Sequence, residues 1–205
     1  MLKEEPAISR NRLEALVDAI FAFAMTLLVT GLVIPSLPGA EARTELPARI
    51  AAMRPEFFSF LIAFFILASF WLAHHRQFRY VRTADRAVVR LNLCILACVV
   101  LVPFTTNLSG DYNTVQIAVD LFHLNLFALG LFFLLQWWYL VRTPAVTEEA
   151  ISRPESRRGM RRALLVPVVS ALGFIISFAD PSLSTAVYLF LIPGFYLITA
   201  SSDGN

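Results

Sequence analysis

Long apolar runs make up most of the chain, and short stretches rich in arginine separate them. The runs do not alternate apolar with polar residues, so they predict helices and not the strands of a membrane barrel. Several are shorter than the ~20 residues that cross a bilayer untilted, so flanking residues must complete them. The sequence therefore predicts an all-α membrane protein with one transmembrane domain, residues 1–205. Six spans are expected, at about 12–34, 56–76, 90–106, 114–141, 160–179 and 182–200.

The last two runs leave two arrangements open, because they fit either two separate spans or one re-entrant hairpin. Asp180 followed by Pro181 favours two spans. Aspartate is a preferred N-cap, and proline is well tolerated in the first turn of a helix.

Composition agrees with lipid as the surrounding solvent. Hydrophobic residues make up 58% of the 205 and charged residues 16%, whereas a soluble chain has roughly a quarter of its residues charged. A net charge of +2 gives no reason to expect nucleic acid as a partner. Cys94 and Cys98 lie four residues apart in an apolar run, which favours core packing over a disulfide or a metal site.

Basic residues predict the orientation of the spans, because they accumulate in cytoplasmic loops. Only Arg43, Arg49 and Arg54 fall on one side of the six spans. Both termini are therefore expected in the cytoplasm, and the protein is expected in a prokaryotic cell membrane. The other side carries fourteen, namely Lys3, Arg10, Arg12, Arg76, Arg79, Arg82, Arg86, Arg90, Arg142, Arg153, Arg157, Arg158, Arg161 and Arg162.

Asp18 is a charged residue within the first apolar run. An Asp at the centre of a span costs ~2.5–3.5 kcal/mol, so Asp18 should face protein, with Arg12 as a candidate partner, or else cap the cytoplasmic end. His74, His75 and Asn92 fall at a similar depth on the second and third spans. Adjacent histidines point in different directions and no carboxylate or cysteine follows at ligand spacing, which disfavours zinc. The expected structural network comprises Arg12, Asp18, Trp71, His74, His75 and Asn92.

Asp120 and His123 lie three residues apart in the fourth span. They could relay protons or form a local hydrogen-bonded pair, and the second interpretation is favoured. The sequence contains no nucleophile with its base, no phosphate-cradling loop and no two-carboxylate site. An enzyme is therefore disfavoured.

The first span resembles a known signature. Residues 12–22 resemble the Arg-x-x-x-Phe-Ser-Asp-x-x-x-Ala motif of the transmembrane-protein-175 family of potassium channels. Arg12, Asp18 and Ala22 match, while Leu16 and Val17 replace the Phe-Ser pair. Further similarity lies in the residues around Thr26, in Trp71-x-x-His74-His75, in Asn92 and in Pro103-Phe104.

The resemblance implies a homotetramer whose single pore is lined by the first helix of each subunit. It also implies potassium as the permeant ion, membrane lipid as surroundings and no cofactor. The family lacks a backbone-carbonyl filter, and this chain has no Thr-Val-Gly-Tyr-Gly segment. Apolar side chains and a threonine layer form the constriction instead. The matching positions are Phe23, Thr26, Leu27 and Thr30.

Helical geometry allows the same assignment. At about 100° per residue, Thr26, Leu27 and Thr30 lie within ~60° of Phe23, and Asp18 lies ~140° away. Ordinary helix packing would produce the same stripe. The leading hypothesis is a passive potassium-permeable cation channel. The alternatives are a proton-coupled secondary transporter, for which no inverted repeat is visible, and a membrane scaffold without transport.

Overall fold

The computed structural model describes residues 9–33 and 36–190. Within these ranges the secondary structure is almost entirely helical, with one isolated β-bridge between Val81 and Thr147. Short 3₁₀ segments cover Leu28–Gly31, Pro144–Val146 and Thr185–Phe190. The α-helices are α1 (Arg10–Leu27), α2 (Gly39–Ala52), α3 (Arg54–Phe78), α4 (Arg86–Asp111), α5 (Gln116–Arg142), α6 (Arg153–Ser177) and α7 (Pro181–Ser184).

Five of the described helices are long and apolar enough to cross a membrane: α1 with its 3₁₀ extension, α3, α4, α5 and α6. They overlap the first five predicted spans and confirm the all-helical membrane architecture. The sixth predicted span, 182–200, falls on α7 and a 3₁₀ segment up to residue 190, and the rest lies outside the described residues. Lys3 and residue 34, the last of the first predicted span, also lie outside them.

Three of the helices have an N-cap residue whose side chain accepts a hydrogen bond from the first turn. Asp85 accepts from the Val88 amide at 2.9 Å, and Ser152 forms a capping box with α6. Asp180 accepts from Ser182 and Leu183, which confirms the predicted N-cap. These bonds, the Ser182 hydroxyl first, lower the pKa of the Asp180 carboxyl. The α-helix that follows ends after only four residues, so the cap alone does not predict a long helix.

The arginine-rich segments meet at one end of the bundle. The Arg10 guanidinium donates to the Val81 carbonyl at 2.9 Å and to the Glu148 carboxylate at 3.0 Å. The Glu148 amide in turn donates to the Tyr80 carbonyl at 2.9 Å. The start of α1 is thereby joined to the loop after α3 and to the loop after α5. All three segments belong to the side predicted to carry most of the positive charge.

Helices α5 and α6 pack closely because glycines face bulky side chains across their interface. A Cβ added at Gly130 would lie 2.6 Å from the Pro167 ring, and one at Gly173 would lie 2.5 Å from the His123 ring. Small residues allow such close approach of membrane helices, where van der Waals contact replaces the hydrophobic driving force. This pair supports α4, against which α1 packs.

Substituting alanine for Gly130 should therefore destabilise the bundle. The added methyl group meets a rigid proline ring, and overpacking of this kind costs roughly 1–3 kcal/mol. Thermal unfolding of the detergent-purified protein should show a lower melting temperature for Gly130→Ala. Gly39→Ala is the matched control, since no atom lies within 4 Å of a Cβ at Gly39. Equal melting temperatures for the two variants would contradict the close α5–α6 packing.

Candidate pore helix and its polar support

Helix α1 has one covered face and one open face. Phe23 is 64% exposed, Thr26 and Thr30 are exposed, and Leu27 is partly exposed. The stripe predicted to line a pore is therefore the face that residues 9–33 and 36–190 leave uncovered. The opposite face packs into the core through Leu13, Val17, Phe21, Ala24 and Leu28.

Both threonine hydroxyls on the open face donate to the helix's own backbone. Thr26 Oγ1 donates to the Phe23 carbonyl at 2.7 Å, and Thr30 Oγ1 donates to the Leu27 carbonyl at 2.7 Å. A hydroxyl has one proton and two lone pairs, so each oxygen keeps acceptor capacity once its proton is committed. An oxygen in this state is suited to a cation and has no proton left to offer an anion.

The backbone changes its winding within this stripe. The α-helix ends at Leu27, and Thr30 lies in the 3₁₀ segment Leu28–Gly31. The expected spacing of 100° per residue is therefore wrong at Thr30, because a 3₁₀ helix turns by about 120° per residue. Thr30 remains exposed despite the change.

The partner predicted for Asp18 is wrong. Asp18 is exposed on the single chain, and its Oδ1 accepts a hydrogen bond of 2.8 Å from the Trp71 indole nitrogen on α3. Arg12 forms no side-chain hydrogen bond or salt bridge with any residue in 9–33 or 36–190. Asp18 follows Arg12 by six positions, so the two side chains point roughly 120° apart around the helix. Trp71 thus connects the signature aspartate to the second span.

A buried chain of polar side chains joins α3, α4 and α5. The Asn92 Nδ2 donates to Gln136 Oε1 at 2.9 Å, and Gln136 Nε2 donates to Gln77 Oε1 at 3.0 Å. Because the Asn92 amide nitrogen is engaged, its Oδ1 is the acceptor for His74 Nε2 at 2.8 Å. The predicted proximity of His74 and Asn92 is confirmed. His74 also stacks on Phe78 with ring centroids 4.0 Å apart.

Gln77 and Gln136 were not predicted as members of this network. Gln77 follows His74 by three residues and so shares its helical face, and Gln136 is a polar residue inside an apolar run. These two sequence features could have predicted that Gln77 and Gln136 belong to the network. His75 is not part of this hydrogen-bonded network, because it points away from the core and is exposed while His74 is buried. Among the described residues, no three His, Cys, Asp or Glu side chains form a group that could hold a metal ion.

Asp120 and His123 do not bond to each other, so the favoured interpretation of a local pair is wrong. Asp120 accepts from the Ser177 hydroxyl on α6. His123 Nε2 lies 2.9 Å from Ser184 Oγ, and His123 Nδ1 lies 2.8 Å from Tyr188 Oη. The side chains diverge because each meets a different packed element. Both tie α5 to the chain segments that follow it.

Known proteins resemble this chain along most of its length. A family model described as the endosomal/lysosomal potassium channel TMEM175 matches residues 12–103. A potassium channel of Streptomyces collinus is 30% identical over 173 residues, which are 80% of this chain and 82% of that protein. A potassium channel of Chamaesiphon minutus is 27% identical over 180 residues, covering 86% of this chain and 88% of that protein.

A solved structure shares the fold. It is the crystal structure of a lysosomal potassium-selective channel TMEM175 homolog from Chamaesiphon minutus. The TM-score is 0.79 with 26% sequence identity, and the match covers 92% of this chain and 96% of that one.

Removing the Asp18 carboxylate should weaken assembly, because the bond to Trp71 fixes α1 against α3. Hydrogen bonds to charged groups contribute about 1.5–3 kcal/mol. Asp18→Ala should lower the yield of assembled oligomer in size-exclusion chromatography with light scattering. Asp18→Asn is the matched control, since its amide oxygen still accepts from the indole and should preserve most of the yield. Normal assembly of Asp18→Ala with altered ion selectivity alone would contradict this role.

Proposed function

Because this chain belongs to the TMEM175 family of potassium channels, we propose that it conducts potassium through a pore lined by α1. The protein is a potassium channel of that family and an integral membrane protein. Its relatives are ion channels and not enzymes. The finer proposal is a homotetramer with four copies of α1 around one axis.

The main observation that supports this proposal is the open face of α1. A helix that packs one face into its own chain must present the other face to lipid, to another subunit or to an ion path. Phe23, Thr26 and Thr30 lie on that open face. Both threonine oxygens keep acceptor capacity that a passing cation would use, and relatives of this chain are potassium channels, so we assign the open face to the ion path.

We infer that Phe23 forms the narrowest point of the resting pore. Four phenyl rings that converge on an axis exclude water, and a dry constriction opposes ion passage without a charged plug. Conduction then requires movement of the ring or of the helix. The Thr26 and Thr30 oxygens, on either side of Leu27, would replace part of the hydration shell of the ion next to that barrier.

The proposed orientation places both termini in the cytoplasm. It rests on the excess of basic residues in the segments predicted to be cytoplasmic. The bonds from Arg10 to Val81 and Glu148 support a common side for three of those segments. The permeant ion is potassium, and the proposal includes no cofactor.

A proton relay receives no support from the polar residues that suggested a transporter. Asp120 and His123 bond to separate partners. Neither Asp18 nor His75 bonds to the other in the part of the chain that the structure describes. Passive conduction is therefore the function proposed, and proton-coupled transport is an outcome that the flux measurement detects.

Phe23→Ala should increase cation flux severalfold and reduce the discrimination of potassium over sodium, because the variant widens the constriction. The measurement is ion flux in liposomes that contain the purified protein, under a potassium gradient and without a pH gradient. Phe178→Ala is the matched control, since Phe178 is a similarly exposed ring, 68% exposed, at the end of α6. Its flux should equal that of the unmodified protein.

Two results would contradict the account. Unchanged flux and selectivity in Phe23→Ala would mean that α1 does not line the path. Flux of the unmodified protein that requires a pH gradient would favour the transporter instead.

Thr26→Val should change ion selectivity while the constriction still limits flux, because valine preserves the shape of threonine but has no oxygen. Reversal potentials in mixed potassium and sodium solutions give the permeability ratio. Thr44→Val is the matched control, since Thr44 is an exposed helical threonine whose hydroxyl donates to the Glu41 carbonyl in the same way. Equal permeability ratios for both variants would exclude Thr26 as an ion ligand.

A further inference from the structure

A cavity of about 420 Å³ lies at the end of the bundle away from the arginine-rich segments, and we refer to it as the outer cavity. The last turn of the pore helix, the first turn of α3 and the last turn of α4 border it. Thr30 lines the outer cavity and also belongs to the open stripe of α1. The outer cavity therefore adjoins the proposed ion path.

We propose that the outer cavity holds the permeant cation at the outer end of the path, with oxygen ligands from Glu56, Asn107 and Asp111 beside Thr30. This inference rests on the proposed function, because it takes α1 as the lining of the pore. It adds residues of α3 and α4 to a path that is otherwise lined by α1 alone.

Glu56 has a carboxylate oxygen without a partner in the described part of the protein. Its Oε2 atom is buried and forms no hydrogen bond with any residue in 9–33 or 36–190. A buried polar atom without a partner costs free energy, and a charged one costs more than a neutral one. Since Glu56 lines the outer cavity, a cation there would supply the missing interaction.

Negative charge predominates among the described residues that line the outer cavity. Glu56 and Asp111 both line it, whereas the positive charge of Arg49 is offset by Glu45, with Arg49 Nη2 3.3 Å from Glu45 Oε2. Asp111 is the last residue of α4, where the helix dipole favours a cation and disfavours a carboxylate. A cleft lined by charge of one sign raises the local concentration of counter-ions.

Two neutral oxygens complete the ligand set. The Asn107 amide packs against Gly31, where an added Cβ would overlap Asn107 Oδ1, so the glycine lets the amide approach the turn that contains Thr30. The Thr30 hydroxyl donates to its own backbone and keeps acceptor capacity. Amide and hydroxyl oxygens can replace part of the hydration shell of a potassium ion.

The ligand set and the volume suit an ion in transit. Among the described residues, no three His, Cys, Asp or Glu side chains form a group that could hold a metal ion tightly. A volume of about 420 Å³ leaves room for a cation that keeps several waters, since each water occupies about 30 Å³ in the liquid. Conduction requires binding that is favourable enough for entry and weak enough for exit.

The test measures single-channel conductance in planar bilayers as potassium is varied, with N-methylglucamine chloride holding the ionic strength constant. Glu56→Gln should raise the potassium concentration for half-maximal conductance severalfold, because the outer cavity then holds an ion less often at low potassium. Maximal conductance should stay near that of the unmodified protein. Asp111→Asn, at an exposed position, should give a smaller shift in the same direction.

Glu41→Gln is the matched control. Glu41 is an exposed carboxylate on α2 that does not line the outer cavity, so its half-maximal concentration should equal that of the unmodified protein. The conductance of a single channel does not depend on how much of the protein folds. A purely structural role of Glu56 would therefore leave this concentration unchanged.

Three results would overturn the inference. Equal shifts in Glu41→Gln and Glu56→Gln would mean that diffuse surface charge attracts the ion. Unchanged half-maximal concentrations in Glu56→Gln and Asp111→Asn, together with the expected flux increase in Phe23→Ala, would exclude the outer cavity while the pore assignment of α1 stands. Unchanged flux in Phe23→Ala would overturn the proposed function and this inference with it.

Discussion

A polar side chain inside a bilayer has no water to bond, so it must find its partner within the protein. The chain of amides from Asn92 through Gln136 to Gln77 meets this constraint by bonding three helices to one another at a single depth. His74 extends this series of hydrogen bonds, because its Nε2 bonds to the side-chain oxygen of Asn92. Each bond sets both the rotation and the height of a helix, because a shift in either would leave a buried amide without a partner at a cost of about 1–3 kcal/mol. Helices α3, α4 and α5 therefore form a fixed surface.

Helix α1 lies against α3 and α4, and its other face is exposed on the described part of the chain. Phe21 and its neighbours on the same face bury it against α3 and α4, while the Asp18–Trp71 bond ties the middle of the helix to α3. The winding tightens after Leu27, close to the exposed threonines. A 3₁₀ turn is common where an α-helix ends. The same helix thus has one firmly held face and one open stripe, which reaches into this last turn.

The sequence contains enough information for the architecture but less for the contacts. Apolar length identifies a span without any knowledge of its neighbours, which is why five predicted spans coincide with helices. The similar depth of His74 and Asn92 on their two spans also predicted correctly that they lie close together. Which face of a helix meets which neighbour depends on helix rotation and on tertiary packing, which a single sequence does not report. For that reason Asp120 was assigned to His123 and not to Ser177, and the roles of Gln77 and Gln136 were missed.

The central claim is that the open face of α1 borders the ion path, and cysteine accessibility tests it most directly. In a Cys94→Ser/Cys98→Ser background, a water-soluble, positively charged thiol reagent is added while potassium flux is recorded. The account predicts that Thr26→Cys channels are blocked and that Val17→Cys channels, whose thiol is buried away from the reagent, are not. Block of Val17→Cys, or full flux of Thr26→Cys after modification confirmed by mass, would contradict it.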